Sequence, residues 1–221
     1  MTADDVFPVV LSLRVSVAAL AVIAPVGVTL AVVQARARYP LRRLVDALIF
    51  LPLILPPSVV GFFLIVVFGR EGPIGSVLDA FGMRLAFTPA AAVIASAVVA
   101  FPILVKTAQP AIEAVPAELE AVARTLGLSP LEVLARVTLP CAWRGIVAAL
   151  VLGFARALGE FGATLMFAGN IPGRTNTMPL EIFSSYQTGD DARAALYVGV
   201  LTAVSFGVVF AANSAPRMLA R

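Results

Sequence analysis

Pro116-Ala-Glu-Leu-Glu-Ala-Val-Ala-Arg-Thr-Leu-Gly-Leu-Ser-Pro-Leu-Glu-Val-Leu-Ala-Arg-Val-Thr-Leu-Pro140 is a polar interlude between stretches apolar enough to live in lipid. It reads as two short helices with a corner. Pro116 suits a first helical turn, where a missing N–H costs nothing. Leu119, Val122, Ala123 and Leu126 recur at helical spacing and give one apolar stripe on a charged segment. Gly127 follows the last of them, as a helix stop does. Ser129 caps the next helix, Pro130 takes its first position and Glu132 completes a capping box. Pro140 closes the unit. Two capped amphipathic helices on one face of a membrane protein are a handle for a partner to grip.

The rest of the chain is what makes this face a membrane face. Of 221 residues, 60% are hydrophobic and 13% charged, against about half and a quarter in a soluble domain. Five stretches reach the roughly 20 apolar residues that a crossing needs: 8–33, 44–68, 88–105, 142–168 and 194–215. They predict an all-α, polytopic transmembrane bundle forming one domain over 1–221. Arg14 lies near enough to one end of the first span to snorkel. Pro52, Pro56, Pro57 and Pro102 fall inside spans and predict kinks, not breaks. A short surface helix is expected around 74–81.

Basic residues in the loops set the direction. Arg36, Arg38, Arg42 and Arg43 follow the first span; Lys106, Arg124, Arg136 and Arg144 bracket the interlude; Arg217 and Arg221 end the chain. The opposite side holds Arg70, Arg84, Arg174 and Arg193. The N-terminus is therefore expected outside, the C-terminus inside, and the 106–141 loop in the cytoplasm. Asp4 and Asp5, without a basic stretch, argue against a cleaved signal peptide. The basic residues are scattered among short loops, which argues against nucleic-acid binding.

The interlude resembles the cytoplasmic coupling loop of permease subunits from binding-protein-dependent ABC importers. The resemblance rests on Gly127, nine intervening residues, and Val137-Thr138-Leu139-Pro140. That family's loop begins Glu-Ala-Ala, with the glycine four residues after the last alanine. Ala121-Val122-Ala123 stand at those places here, with Glu120 one position early. The resemblance implies that Glu118, Glu120, Ala121, Ala123, Arg124, Leu126, Gly127, Leu139 and Pro140 serve coupling to an ATPase.

Span four carries Arg156-Ala-Leu-Gly-Glu-Phe-Gly-Ala-Thr164. Arg156 and Glu160 are four apart on a helix and can pair, which lowers the cost of about 3 kcal/mol that each carries in lipid. Ala155, Gly159 and Ala163 form a row of small residues beside them, fit for close helix approach. Two readings stand: a self-neutralised pair at a tight contact, or pore and gate residues Arg156, Gly159, Glu160 and Thr164. In the outer loop, Ile171-Pro172-Gly173-Arg174 predicts a tight turn. Asn170, Arg174, Thr175 and Thr177 either offer donors to an oxyanion, or dock the protein delivering it, or form a solvated turn.

Arg156–Thr164 followed by Gly169-Asn-Ile-Pro-Gly-Arg-Thr-Asn-Thr-Met-Pro-Leu180 resembles the molybdate branch of these permeases, with the sulfate/thiosulfate branch as the alternative. The resemblance covers spans two to five. It implies a type I ABC importer permease in the bacterial inner membrane, working as a homodimer with two ATP-binding cassette subunits and an external molybdate-binding protein, and carrying molybdate or tungstate.

The chain has no histidine, one cysteine and one lysine. That excludes internal disulfides, Cys/His metal sites and a nucleophile–His pair. Lys106 has no glycine-rich loop before it, so no P-loop exists. ATP and magnesium are expected on a separate subunit, with no cofactor held by this chain. A membrane-embedded enzyme, the other class, needs clustered carboxylates or a metal site; Glu160 is the one acid deep in a span, beside a cation.

Overall fold

The computed structural model describes residues 3–218, and side chains from residue 5 to residue 211. Arg221 and the side chain of Arg217, both invoked above for the inward C-terminus, lie outside the described residues. The elements are α1 (Ala3–Arg36), α2 (Arg42–Ile54), α3 (Pro57–Phe68), α4 (Gly75–Ala80), α5 (Pro89–Glu113) and α6 (Ala117–Thr125). Then α7 (Pro130–Val133) runs through a π-helical turn (Leu134–Thr138) into α8 (Leu139–Leu158). The chain finishes with α9 (Gly162–Phe167), α10 (Met178–Thr188) and α11 (Asp191–Met218). The described residues contain no strand.

The centre is α5. Its alanines at 91, 92, 95, 97, 100 and 108 are buried, as are Leu104, Val105 and Ile112. Small residues let α1 and α8 close on it, which matters in lipid, where apolar area alone gives no drive to associate. Gly145 of α8 shows how close: a Cβ there would stand 2.1 Å from the Cβ of Ala111. The outward faces are apolar too, with Leu48, Ile54, Phe62, Phe63, Phe206 and Phe210 exposed, as suits contact with hydrocarbon.

Two tie points define the ends of the bundle. Arg36, closing α1, donates to the carbonyls of Ile112 and Val115 at the end of α5, so α1 and α5 run in the same direction. At the other end, the N–H of Phe87 donates to Phe167 O at 3.1 Å, and that of Met178 to Ser12 Oγ at 2.7 Å. The chain therefore crosses back once between α1 and α5, through α2 and α3. Among the described residues, four helical runs are long and apolar enough to span, and counting this bent pair as one span makes five.

The pair departs from the sequence expectation. Pro52 and Pro102 stay inside helices, but Pro56 and Pro57 break the span, and α3 turns by 111° from α2. Consecutive prolines remove two donors, and each pushes its predecessor out of the helical region. Leu55 and Pro56 accordingly have ψ of 143° and 136°. Span four is also divided. It is helical to Leu158, irregular over 159–161, and helical again in α9.

A polar belt fastens α2 to its neighbours at the cytoplasmic end. Lys106 pairs with Asp46, which also accepts from Gln34 Nε2 at 3.1 Å. Lys106 then donates to Gln109, Gln109 to Glu113, and Glu113 faces Arg42 at 3.5 Å. The lone lysine is thus a structural cation, lying over the ring of Phe50 as well.

Candidate coupling elbow and translocation site

The elbow has the cap chemistry that its residues predict. Ser129 N–H and Oγ both lie 2.9 Å from Glu132 Oε2, and the N–H of Glu132 reaches back to Ser129 Oγ. The bond from the Ser129 N–H, then that from its hydroxyl, hold the Glu132 carboxyl below the usual glutamate range. Gly127 turns the corner at φ +87°, a conformation that a side chain resists.

Two features differ from expectation. Pro116 is the residue before the first turn of α6, not a member of it. Pro140 does not close the unit, because α7 continues into α8 and the helix runs from Pro130 to Leu158. The π turn lies directly ahead of this proline, with Leu139 N–H bonded five residues back to Leu134 O. A proline ring crowds the carbonyl four residues earlier, and the wider turn comes where Pro140 would crowd Arg136. The stripe of α6 is turned outward, as a handle for a partner requires. Ala123 is buried, but Leu119, Val122 and Leu126 face outward, joined by Leu131, and the latter two are 75% and 77% exposed. The buried partner of Ala123 is Glu120, at 7%. Glu118, Ala121 and Arg124 are exposed, and Leu139 is half-buried.

Arg156 and Glu160 do pair, at 2.8 Å. They do so across the end of α8 rather than along a helix, since Glu160 lies in the break. Its Oε1 accepts from the Ala163 N–H at 2.8 Å and so caps α9. Its Oε2 faces Arg156 as an ion pair, without an aligned hydrogen bond. Thr164 is buried and its hydroxyl has no protein partner either. The row Ala155, Gly159 and Ala163 is not a continuous helical seam, because α8 stops before Gly159. Close approach is made instead by α3 on α9. A Cβ on Gly61 would stand 2.9 Å from Ala163 Cα, and one on Gly162 would stand 3.0 Å from Pro57 Cβ. The two interrupted passages thus touch beside their breaks. Neither Gly61 nor Gly162 was singled out from the sequence, and only their chain distance from the prolines and from Glu160 hinted at a role.

The outer loop makes the expected turn, with Arg174 N–H donating to Ile171 O at 3.0 Å and Gly173 at φ +69°. Its polar residues are mostly not presented outward. Thr175 is fully buried, its hydroxyl accepting from Ile171 N–H and donating to Gly169 O, both at 3.0 Å. Asn176 is buried and donates to Asn170 at 2.6 Å, and Thr177 is buried at the start of α10. Arg174 alone of the four predicted residues stands exposed. The geometry makes Thr175 an internal staple, not a donor for a passing anion. Thr175→Val is expected to destabilise by about 1–3 kcal/mol, by leaving Ile171 N–H and Gly169 O unpaired; thermal unfolding in detergent measures it, and Arg174→Ala should leave the midpoint unmoved.

Glu181 and Asp5 sit on Arg193, at 2.7 and 3.7 Å, and Tyr197 donates to the Asp5 carbonyl. This outer cluster joins α1, α10 and α11. The described residues hold no group of three or more acids and cysteines placed for a metal ion.

Comparison with known proteins agrees with this architecture. A sequence model of the family described as "binding-protein-dependent transport system inner membrane component" matches residues 23–215. The molybdenum transport system permease protein ModB of Escherichia coli (strain K12) is 45% identical over 189 residues, which cover 85% of this chain and 82% of that one. ModB of Azotobacter vinelandii is 36% identical over 221 residues, covering 100% and 98%. In fold, the chain is similar to the inward-facing MetNI methionine ABC transporter, with a TM-score of 0.75 at 18% identity and all of both chains covered. It is similar also to a bacterial ABC transporter importing alginate, with a TM-score of 0.78 at 16% identity and 82% of that chain covered.

Proposed function

We propose that this chain, which belongs to the binding-protein-dependent transport system inner membrane component family, is the membrane-spanning subunit of an importer for molybdate or the similar tungstate anion. It is a multi-pass inner-membrane permease and supplies the path, not the chemistry. The relatives named for molybdenum transport span more than four-fifths of the chain and support the choice of anion. An external binding protein delivers the anion. Two copies of the chain form the path, and two ATP-binding cassette subunits hold ATP and magnesium and drive it.

The observation that carries the assignment of energy coupling is the elbow. A chain without a P-loop presents a capped pair of helices whose Leu119, Val122, Leu126 and Leu131 are exposed. Exposed apolar residues clustered on a rigid support mark a docking surface. The ATPase subunit grips this face, and because α7 and α8 are one helix, movement there is carried into the membrane. Alternation between inward- and outward-open states follows from packing with two stable arrangements.

Uptake of labelled molybdate by cells carrying or lacking the gene, with its partners supplied, tests the function. Competition by excess sulfate would return the substrate to the alternative branch. For the elbow, Leu126→Asp with Leu131→Asp is expected to release the ATPase subunit during purification. Each anchor is worth about 2 kcal/mol or more, roughly thirtyfold in affinity. Both side chains are exposed, so the isolated permease should keep its unfolding midpoint. Retained ATPase and normal uptake in that variant would remove the docking surface from consideration.

A further inference from the structure

The acid buried beneath the elbow has no place in the docking surface. Glu120 faces away from Leu119, Val122 and Leu126, into the bundle. Its Oε1 accepts from Arg36 Nε at 3.0 Å and from Thr138 Oγ1 at 2.8 Å. Arg36 Nη2 stands 2.8 Å from the same oxygen, and Arg124 Nη2 stands 3.6 Å from Oε2. The same Arg36 Nη2 donates to Ile112 O at 2.9 Å and Val115 O at 3.2 Å. One carboxylate and one guanidinium thus tie together the ends of α1 and α5, helix α6 and the π turn leading into α8.

These four segments differ in how the chain itself joins them to the elbow. Helix α8 is continuous with α7, and α5 reaches α6 through only residues 114–116. Helix α1 has no such connection: 80 residues of other structure separate Arg36 from α6. Its attachment to the elbow runs through the Arg36–Glu120 pair. Charge-assisted bonds are short and directional, and the Glu120 side chain is 9% exposed with Arg36 at 30%. Thr138 supplies the cross-link from the π turn to this pair.

We propose that Glu120, with Arg36 and Thr138, is the joint through which a push on the outer face of the elbow reaches α1 and the end of α5. Glu120 is a positioning residue for transport and not a docking residue. With the joint opened, the ATPase subunit still grips the elbow and moves α8, but α1 no longer follows. The cycle then consumes ATP with less anion moved per turn. This rests on the elbow being the ATPase contact.

The test is the number of molybdate ions imported per ATP hydrolysed. It uses the complex of this chain, its ATPase subunits and its external binding protein in phospholipid vesicles. Glu120→Gln and Thr138→Val are expected to keep the ATPase subunits bound through purification and to lower that ratio at least fivefold. Thr138→Ser, which keeps the hydroxyl, is expected to restore it. Thr138→Val is nearly isosteric and so remains informative should Glu120→Gln fail to fold. An unchanged ratio in Thr138→Val, or loss of the ATPase subunits from it, overturns the joint. A wild-type complex that imports no molybdate takes down the functional reading and the joint together, whereas wild-type import beside an unchanged variant ratio removes the joint alone.

Discussion

Arg156→Leu is expected to abolish most import and to destabilise the permease by about 3–5 kcal/mol, the usual cost of leaving one member of a buried ion pair alone. The Glu160 side chain is 1% exposed, and Arg156 is the cation facing its Oε2. Against a typical total stability of about 5–15 kcal/mol, such a loss lowers the unfolding midpoint visibly and reduces the amount of protein in the membrane. The double variant Arg156→Leu with Glu160→Gln is expected to recover much of the stability, because both charges are gone and glutamine still accepts from the Ala163 N–H. That variant also separates the two readings of the pair. Import that returns with stability makes the pair packing; a stable double variant that still fails to import makes it part of the gate. Should Arg156→Leu alone unfold at the wild-type temperature, the pair does not hold the break together.

Gly61→Val is expected to stop import by a different route and at a smaller cost in stability. An added Cβ would stand 2.7 Å from Met166 Cβ and 2.9 Å from Ala163 Cα and O. None of these atoms can be rotated away, so α3 must part from α9. Overpacking of this kind costs about 1–3 kcal/mol, and here it falls where the two interrupted passages meet. Import by Gly61→Val should be close to background and that of Gly61→Ala intermediate. Gly199→Ala on α11, with nothing within 4 Å of the new methyl, is the control and should transport normally. Normal uptake by Gly61→Val would show that the contact between α3 and α9 is dispensable.

What could be read from the sequence was local. The capping box at Ser129 and Glu132, the corner at Gly127, the turn at 171–174 and the apolar spans are each decided by residues a few positions apart. What could not be read depended on neighbours far along the chain. Proline does not announce whether it will kink or break a helix. Pro102 stays helical within a buried α5, whereas Pro56 and Pro57, being consecutive, end one helix and begin another beside Gly162. The stripe on α6 is legible, and so is its use as a grip, but not which of its neighbours turns into the bundle. Glu120 settles it by turning inward, and its partners are 84 and 18 residues away. The outer-loop threonines looked available for the same reason: polarity is legible in a sequence, burial is not.

The unbroken helix from Pro130 to Leu158 ends at the irregular 159–161 segment, beyond which only the six residues of α9 continue. At 1.5 Å per residue the two arms are about 43 Å and about 9 Å long. The passage is thus stiff along its longer arm and jointed at 159–161, so any bending it undergoes is concentrated in those three residues.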